Sequence, residues 1–374
     1  MKTWVEISKK AVRSNVANTR KILGKKVLMM AVVKGDGYGA GTETLVRAIH
    51  PIVDWFGVDS LDEAKIVRKL CRKPVLILGY TTPIDAADIL EGGFSVVLDD
   101  YHMAVKLSKC ATKKRPARIH IKVDTGLIRL GLFPQDAIAL AKKVSKLPNV
   151  FIEGIYTHYA ELIDKKGNLV YADQLEKFNY VVNTLADSGI KPPLLHTASS
   201  VAAFLFPETR CDMVRIGIPL HGLWSRRKTM ALMKGIPLAG ALRPIMSWKT
   251  TVVNIKKISA GTGVGYGRSE IVKRDTTIAV LGAGFYDGID KRQGKIGEVL
   301  IRGTRARMVG SIAMNMCTVD ATNVKNLKVG DSAILIGRCG REEISVYDIA
   351  ELIGTNTYEV ISTINSLLPR VLVP

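Results

Sequence analysis

The sequence predicts an α/β fold, an N-terminal (β/α)8 barrel of the TIM type followed by a mainly β C-terminal domain. Three observations carry this reading. Eight apolar, β-branched runs alternate with longer amphipathic segments through the first two thirds of the 374 residues. After about residue 235 the texture changes to strand-like runs with Gly-rich turns. No apolar stretch approaches the roughly 18 residues that a membrane helix needs, so no membrane partner is expected.

Taken in order, the eight runs are 27–33 VLMMAVV, 53–58 VDWFGV, 75–79 VLILG, 94–98 FSVVL, 117–123 ARIHIKV, 150–156 VFIEGIY, 193–197 PLLHT and 213–217 MVRIG. Helical patterns such as SLDEAKIVRKL and PQDAIALAKKVSKL lie between them, with Ser60 and Pro134 as start signals. A doubly wound sheet needs fewer strands, so the barrel is the better fit. The later strand-like runs are SWKTTVVNIKKI, TTIAVLG, IGEVLIRG, ARMVGSI, MCTVDAT and DSAILIG, joined by two helical patterns, SVYDIAELIG and TYEVISTINSLL. The expected division is a barrel over 10–235, with 1–9 and 236–374 forming the β domain.

Composition bounds the chemistry. Five cysteines (Cys71, Cys110, Cys211, Cys317, Cys339) are scattered without a CxxC, which argues for reduced thiols and against a structural zinc site. The start, MKTWVEISKKAV, has no unbroken apolar core of a secretory signal, so the cytoplasm is the expected location. The formal charge of +20 is unusual. Its densest stretch, KLSKCATKKRPARIHIK, lacks interleaved aromatic stacking platforms and runs into a strand. It reads as a solvated face, and no nucleic-acid partner is expected.

Barrel enzymes draw reactive groups from the C-terminal ends of their strands. Those ends supply Lys34, Arg129, His158, Ser199, Ser200 and Arg215. Singly, each is more often a solvated or structural residue; six converging on one rim suit a bound anion. No GxxxxGK[ST] loop, GxSxG elbow, HExxH or carboxylate-rich metal cluster occurs, so nucleotide, serine-hydrolase and metal readings fail and no metal is expected. GTGVGYG and LGAGFYDG are near misses to GxGxxG that open no helical pattern. A phosphorylated cofactor with a carbonyl that a lysine can capture remains, and pyridoxal 5'-phosphate meets that description.

The segments VVKGDGYGAG, KVDTGLIRLG, EGIYTHYA, VRIGIPLHGL, GVGYG, GFYDG, VGSIAMNM and TYEV resemble, in order and spacing, the successive motifs of alanine racemases. The match spans nearly the whole chain. The resemblance implies pyridoxal-phosphate-dependent interconversion of L- and D-alanine, supplying D-alanine for peptidoglycan, in a homodimer with shared sites. It makes Lys34 the cofactor lysine and one acid/base group, and Tyr266, delivered by the partner subunit, the other. Tyr38, Ser200, Gly217, Ile218 and Tyr358 match phosphate contacts, Arg215 the arginine facing the ring nitrogen, and His158 the histidine linking that arginine toward Tyr266. Arg129 falls near the cofactor's phenolic oxygen and the substrate carboxylate, Met314 where a backbone N–H meets that carboxylate, Asn315 beside the substrate pocket, and Lys122 where many members carry a carbamylated lysine. Asn315 in place of the usual aspartate, His221 in place of tyrosine and Ile128 in place of a small or polar residue are departures expected to touch substrate choice. A serine or broader-specificity racemase is therefore one alternative. A barrel-type decarboxylase using the same cofactor is another, disfavoured by Tyr266 and the second domain. A cofactor-binding barrel without turnover would lack that domain.

Overall fold

The computed structural model describes residues 1–374. Its first eight-stranded sheet is wholly parallel: β2 (Leu28–Val32), β3 (Trp55–Val58), β4 (Val75–Ile77), β5 (Ser95–Leu98), β6 (Ala117–Lys122), β7 (Val150–Tyr156), β8 (Leu194–His196) and β9 (Met213–Ile216). Each expected run forms a strand; 150–156 matches in full and the other seven are trimmed by one or two residues. The strands pair in sequence from β2 to β8, and β9 returns to lie beside β2, with Leu28 opposite Met213 and Ala31 opposite Ile216. The sheet thereby curls into a barrel, with β8 and β9 meeting at the seam.

The two-residue period of a strand sorts the side chains. Met30, Val32, Trp55, Leu76, Val97, Tyr156 and Met213 form an apolar cluster inside the barrel. Met29 and Ala31 point the other way, into the larger core. Helix starts follow local chemistry. The Ser60 hydroxyl accepts from the Glu63 N–H at the head of helix Leu61–Leu70, and Pro134 takes the first position of helix Pro134–Val144.

The second sheet is antiparallel in most of its pairings and has nine strands. It contains β1 (Thr3–Ser8), which lies between β10 (Met246–Ile258) and the C-terminal strand Arg370–Val373. Both chain ends therefore belong to one sheet. Asn15, buried in helix Lys9–Leu23, ties this domain to the barrel: its side-chain amide donates to the Leu220 and Arg243 carbonyls and accepts from the Arg243 N–H.

One expected helix is shorter than its pattern. TYEVISTINSLL is helical only over Thr357–Ser362. Beyond it, the Asn365 N–H donates to the Asp287 carbonyl and its side-chain amide to the Tyr286 carbonyl, so both backbone and side chain are drawn out of the helix.

Two left-handed glycines separate steric from conformational cost. A Cβ on Gly222 (φ +72) would lie 1.8 Å from the Arg243 carbonyl oxygen, whereas one on Gly93 (φ +62) meets nothing within 4 Å. Gly93→Ala should cost about 1 kcal/mol from backbone conformation alone, and Gly222→Ala roughly 3 kcal/mol or more from the added overlap. Urea unfolding of both variants tests this; equal losses would show that the Arg243 contact does not set the junction.

Candidate active site

The mouth of the barrel begins with an unusual turn. After β2 the chain enters Lys34 and then runs left-handed: Gly35 (φ 64°, ψ 50°), Asp36 (51°, 47°), Gly37 (61°, 40°), Tyr38 (φ 53°) and Gly39 (φ 82°). Glycine carries this conformation without steric penalty, while Asp36 and Tyr38 each cost about 1–2 kcal/mol. The surroundings hold them there. Asp36 accepts from the Thr42 N–H, and Arg370 donates Nε and Nη2 to the Gly39 carbonyl at 3.1 and 3.0 Å. A Cβ on Gly39 would sit 1.9 Å from the Ile361 carbonyl oxygen, so only glycine lets the loop pass the Thr357–Ser362 helix. Lys34, expected to close the strand, is instead the first residue of this turn. Its Nζ pairs with Asp59 Oδ1 at 2.8 Å.

Opposite, on β9, the Arg215 side chain is almost wholly buried at 5% exposure. Nη1 donates to the His196 carbonyl (2.9 Å) and to His196 Nδ1 (2.8 Å). Nη2 donates to the carbonyls of Thr157 (2.7 Å) and Thr197 (2.9 Å) and to His158 Nδ1 (3.3 Å). All five bonds leave from the terminal nitrogens. Burial, reinforced by the charge of Arg215, pushes His158 down to about 3, so its imidazole stays neutral and can accept. Lys122 lies 5.8 Å above the Tyr156 ring, and burial together with Arg129 and Arg215 lowers its amine to about 8.

A third wall is built for close approach. A Cβ on Gly217 would fall 2.6 Å from the Tyr38 hydroxyl, and the Ser200 hydroxyl accepts from the Gly217 N–H at 3.1 Å. The Tyr38 and Tyr358 rings lie 5.8 Å apart. These walls enclose a cavity of about 540 Å³ lined by Lys34, Tyr38, Lys122, Arg129, His158, Ser199, Ser200, Arg215, Gly217 and Tyr358. Ile218 is buried beside it and does not line it. Tyr266, Met314 and Asn315 do not line it either; Tyr266 is 80% and Met314 57% exposed on the β domain. Their turns pack together, because a Cβ on Gly265 would lie 2.9 Å from the Ser311 backbone nitrogen.

Comparison with known proteins places this architecture. Residues 7–224 match the family model for the alanine racemase N-terminal domain, and residues 245–372 that for the C-terminal domain. The alanine racemase of Symbiobacterium thermophilum is 36% identical over 371 residues, covering 98% of this chain and 96% of the relative. The chain belongs to the alanine racemase family. Among solved structures, the alanine racemase of Clostridium difficile 630 superposes with a TM-score of 0.91 at 28% identity, covering 100% of this chain and 96% of that one. That of Bacillus anthracis with bound L-Ala-P gives 0.91 at 29% identity, covering 100% and 95%. Alanine racemases are isomerases, and this chain is an enzyme of that class.

Several groups of this alanine racemase fold escaped the sequence reading. Asp59 partners Lys34, Tyr156 stacks on His196 with ring centroids 4.6 Å apart, and His120, His196 and Glu153 form a buried row inside the barrel. A signal existed for the row: ARIHIKV alternates polar and apolar residues, which places Arg118, His120 and Lys122 on one face. His221 departs from expectation in place rather than identity. It is 1% exposed, 5.5 Å from the Tyr38 ring, and does not line the cavity.

Both ring nitrogens of His221 are buried without a hydrogen-bond partner among the described residues, and burial draws its pKa from 6.5 down to about 3. Above pH 6.5 the imidazole is neutral whether folded or unfolded. Below it, the unfolded chain binds a proton that the native state refuses until about pH 3, so stability is lost as pH falls through that window. Between pH 6.5 and 5 this one group should cost up to about 2 kcal/mol. Urea unfolding at both pH values should show a shallower decline for His221→Tyr; identical declines would remove His221 as the cause.

Proposed function

We propose that the enzyme interconverts L- and D-alanine with pyridoxal 5'-phosphate, using Lys34 and Tyr266 as its two acid/base groups. The observation that carries this reading is the pairing, across one cavity, of Lys34 on its left-handed turn with Arg215, whose Nη1 and Nη2 are fully engaged and whose Nε is left for a ligand. The residues fit the cofactor. Gly217 leaves room that a Cβ would fill, Tyr38, Ser200 and Tyr358 bring hydroxyls to the same wall, and basic side chains surround the cavity. Bound there, the cofactor would supply the electron sink that lets an amino acid lose its Cα proton.

Lys34 would hold the cofactor carbonyl and carry a proton on one face. Arg215 would meet the ring nitrogen as a donor that does not surrender its proton. Tyr38, Ser200, Tyr358 and the backbone at Gly217 and Ile218 would take the phosphate. Arg129 would hold the substrate carboxylate, helped by the Met314 N–H, with Asn315 beside the substrate. Tyr266 is exposed in its own chain and absent from its own cavity. Delivery into a partner's cavity in a homodimer accounts for both facts, and the exposed Tyr286, Met314 and Met316 give that face apolar surface to bury. A cytoplasmic enzyme of this kind would supply D-alanine for peptidoglycan.

The first test is direct. Purified protein should be yellow, and borohydride should fix the cofactor to Lys34; a label mapped to another lysine, or colourless protein after cofactor is added, would sink the reading.

The second test separates the two bases. Tyr266→Phe should lower racemisation by on the order of 10² to 10⁴ while the cofactor stays bound. In deuterated water the variant should still exchange the Cα proton of D-alanine through Lys34, with L-alanine exchange falling sharply. Mixed Lys34→Ala and Tyr266→Phe subunits should regain activity through one hybrid site per dimer. Equal loss of both exchanges, with no recovery on verified mixing, excludes the shared arrangement.

A further inference from the structure

Beneath the cavity a row of buried polar groups runs down the inside of the barrel, and the two-base reading leaves it unused. His196 Nδ1 lies 2.8 Å from Arg215 Nη1, and His196 Nε2 lies 2.9 Å from His120 Nδ1. His120 Nε2 lies 3.4 Å from Glu153 Oε2. Glu153 in turn accepts from the Ser95 hydroxyl on Oε2 and from Arg118 Nη1 on Oε1, the latter at 3.0 Å. His120 and His196 are fully buried, and Glu153 is nearly so. Although burial alone would push Glu153 up, hydrogen bonds from His120 and Ser95 hold it below the usual carboxylate range, so it is ionised. Burial lowers both histidines, so they are neutral.

The proton positions follow from the two ends. Arg215 can only donate and an ionised carboxylate can only accept. His196 must therefore present a lone pair on Nδ1 to Arg215 and carry its proton on Nε2. That proton points at His120 Nδ1, which must also be a lone pair, leaving the His120 proton on Nε2 aimed at Glu153. One arrangement satisfies every member, and it is directional from arginine to glutamate. The rings have little freedom to leave it: Tyr156 stacks on His196 with an interplanar angle of 4°, and Trp55 meets His120 edge-on at 5.9 Å.

We propose that Glu153 is a positioning residue for Arg215. Through His120 and His196 it fixes both imidazoles as Nε2–H tautomers, and so gives the guanidinium an acceptor where the other tautomer would oppose it with a donor. The role of Arg215 rests on the racemase reading above; the tautomers do not. With Glu153→Gln, the new amide NH2 cannot face Arg118, which is itself a donor, so it turns toward Ser95 and His120. The serine hydroxyl can rotate to accept. His120 must then accept on Nε2 and donate from Nδ1, His196 must do the same, and a His196 Nδ1–H confronts the Arg215 Nη1–H. The guanidinium has to rotate, carrying Nε with it.

The experiment uses enzyme labelled with 15N-histidine, with cofactor and after its removal; the chain has only six histidines. Nitrogen shifts in the parent should report Nε2–H at both His120 and His196. Glu153→Gln should reverse both tautomers and lower kcat by roughly ten- to a hundredfold, the usual scale for one hydrogen bond to a charged group, with KM little changed. Adding Arg118→Met to Glu153→Gln lets the amide turn back, and should restore the tautomers and part of kcat. An Nδ1–H tautomer at either ring in the parent overturns the inference, and this holds even if the Gln variant fails to fold. So does a Glu153→Gln enzyme that is less stable but turns over normally with unchanged tautomers, or a double variant slower than the single one. A parent with the expected tautomers and no alanine turnover would instead refute the racemase reading.

Discussion

The buried guanidinium of Arg215 is the constraint on which this molecule turns. It sits on β9 and donates to carbonyls that end β7 and β8, across the place where the barrel has to close. No ladder joins β8 to β9 there, among the described residues. The backbone supplies only scattered bonds, from the Asp212 N–H to the Leu195 carbonyl and from the Arg215 N–H to the Ala198 carbonyl. A buried cation needs acceptors, and unpaired carbonyls at a seam need donors. One side chain meets both needs. Barrel closure and the aim of the remaining Nε–H are consequently the same geometric fact, and any disturbance of one reaches the other.

A second constraint acts from the opposite side of the cavity and from the far end of the chain. The left-handed turn after Lys34 is costly at Asp36 and Tyr38, and its own residues cannot repay that cost. Arg370 holds it. Its guanidinium binds the Gly39 carbonyl and the carbonyls of Ile364, Asn365 and Leu368, with Asp36 3.7 Å away. The strand carrying Arg370 is itself paired with β1. The first and last residues of the chain thus form the frame that keeps the Lys34 turn in place. The β domain is a support for the barrel mouth as well as the bearer of Tyr266.

How much of this could be read beforehand depends on the range of the interaction. The eight barrel strands were legible because each is a local, apolar, β-branched run, and the rim residues because strand ends can be found once the strands are. The stop of the last helix at Ser362 was not legible, because bonds from Asn365 to Tyr286 and Asp287, distant in sequence, compete with it. Asp59 and Arg370 were missed for a similar reason: nothing near them in sequence marks a partner on the Lys34 turn. The row from His196 to Glu153 was half visible in the alternation of ARIHIKV. Seeing it whole needs the barrel to be closed, since its members come from β6, β7 and β8. His221 shows the opposite error. A departure from a motif reads as a change at the substrate, yet its side chain packs behind Tyr38.

The exposure of Tyr266 has a physical explanation in the same terms. The residue is held between Gly265 (φ 78°) and Gly267 (φ 64°), in a turn backed by Ser311. Such a turn fixes the backbone and leaves the side chain projecting into solvent. A phenol ring is poorly placed there in an isolated chain, because it keeps a large apolar area in water, as the exposed Tyr286, Met314 and Met316 of the same domain do. Meanwhile the cavity at Lys34 has hydroxyls, cations and a neutral histidine within one chain, but its own Tyr266 does not reach it. A projecting phenol on one domain and a cavity that its own tyrosine does not line are complementary features. In the proposed homodimer, two copies related by a twofold axis would resolve both at once, since each surface would meet the other's counterpart. On that proposal the turn would do the positioning: a base arriving from another chain would be placed by its own backbone, because the site receiving it could not do so.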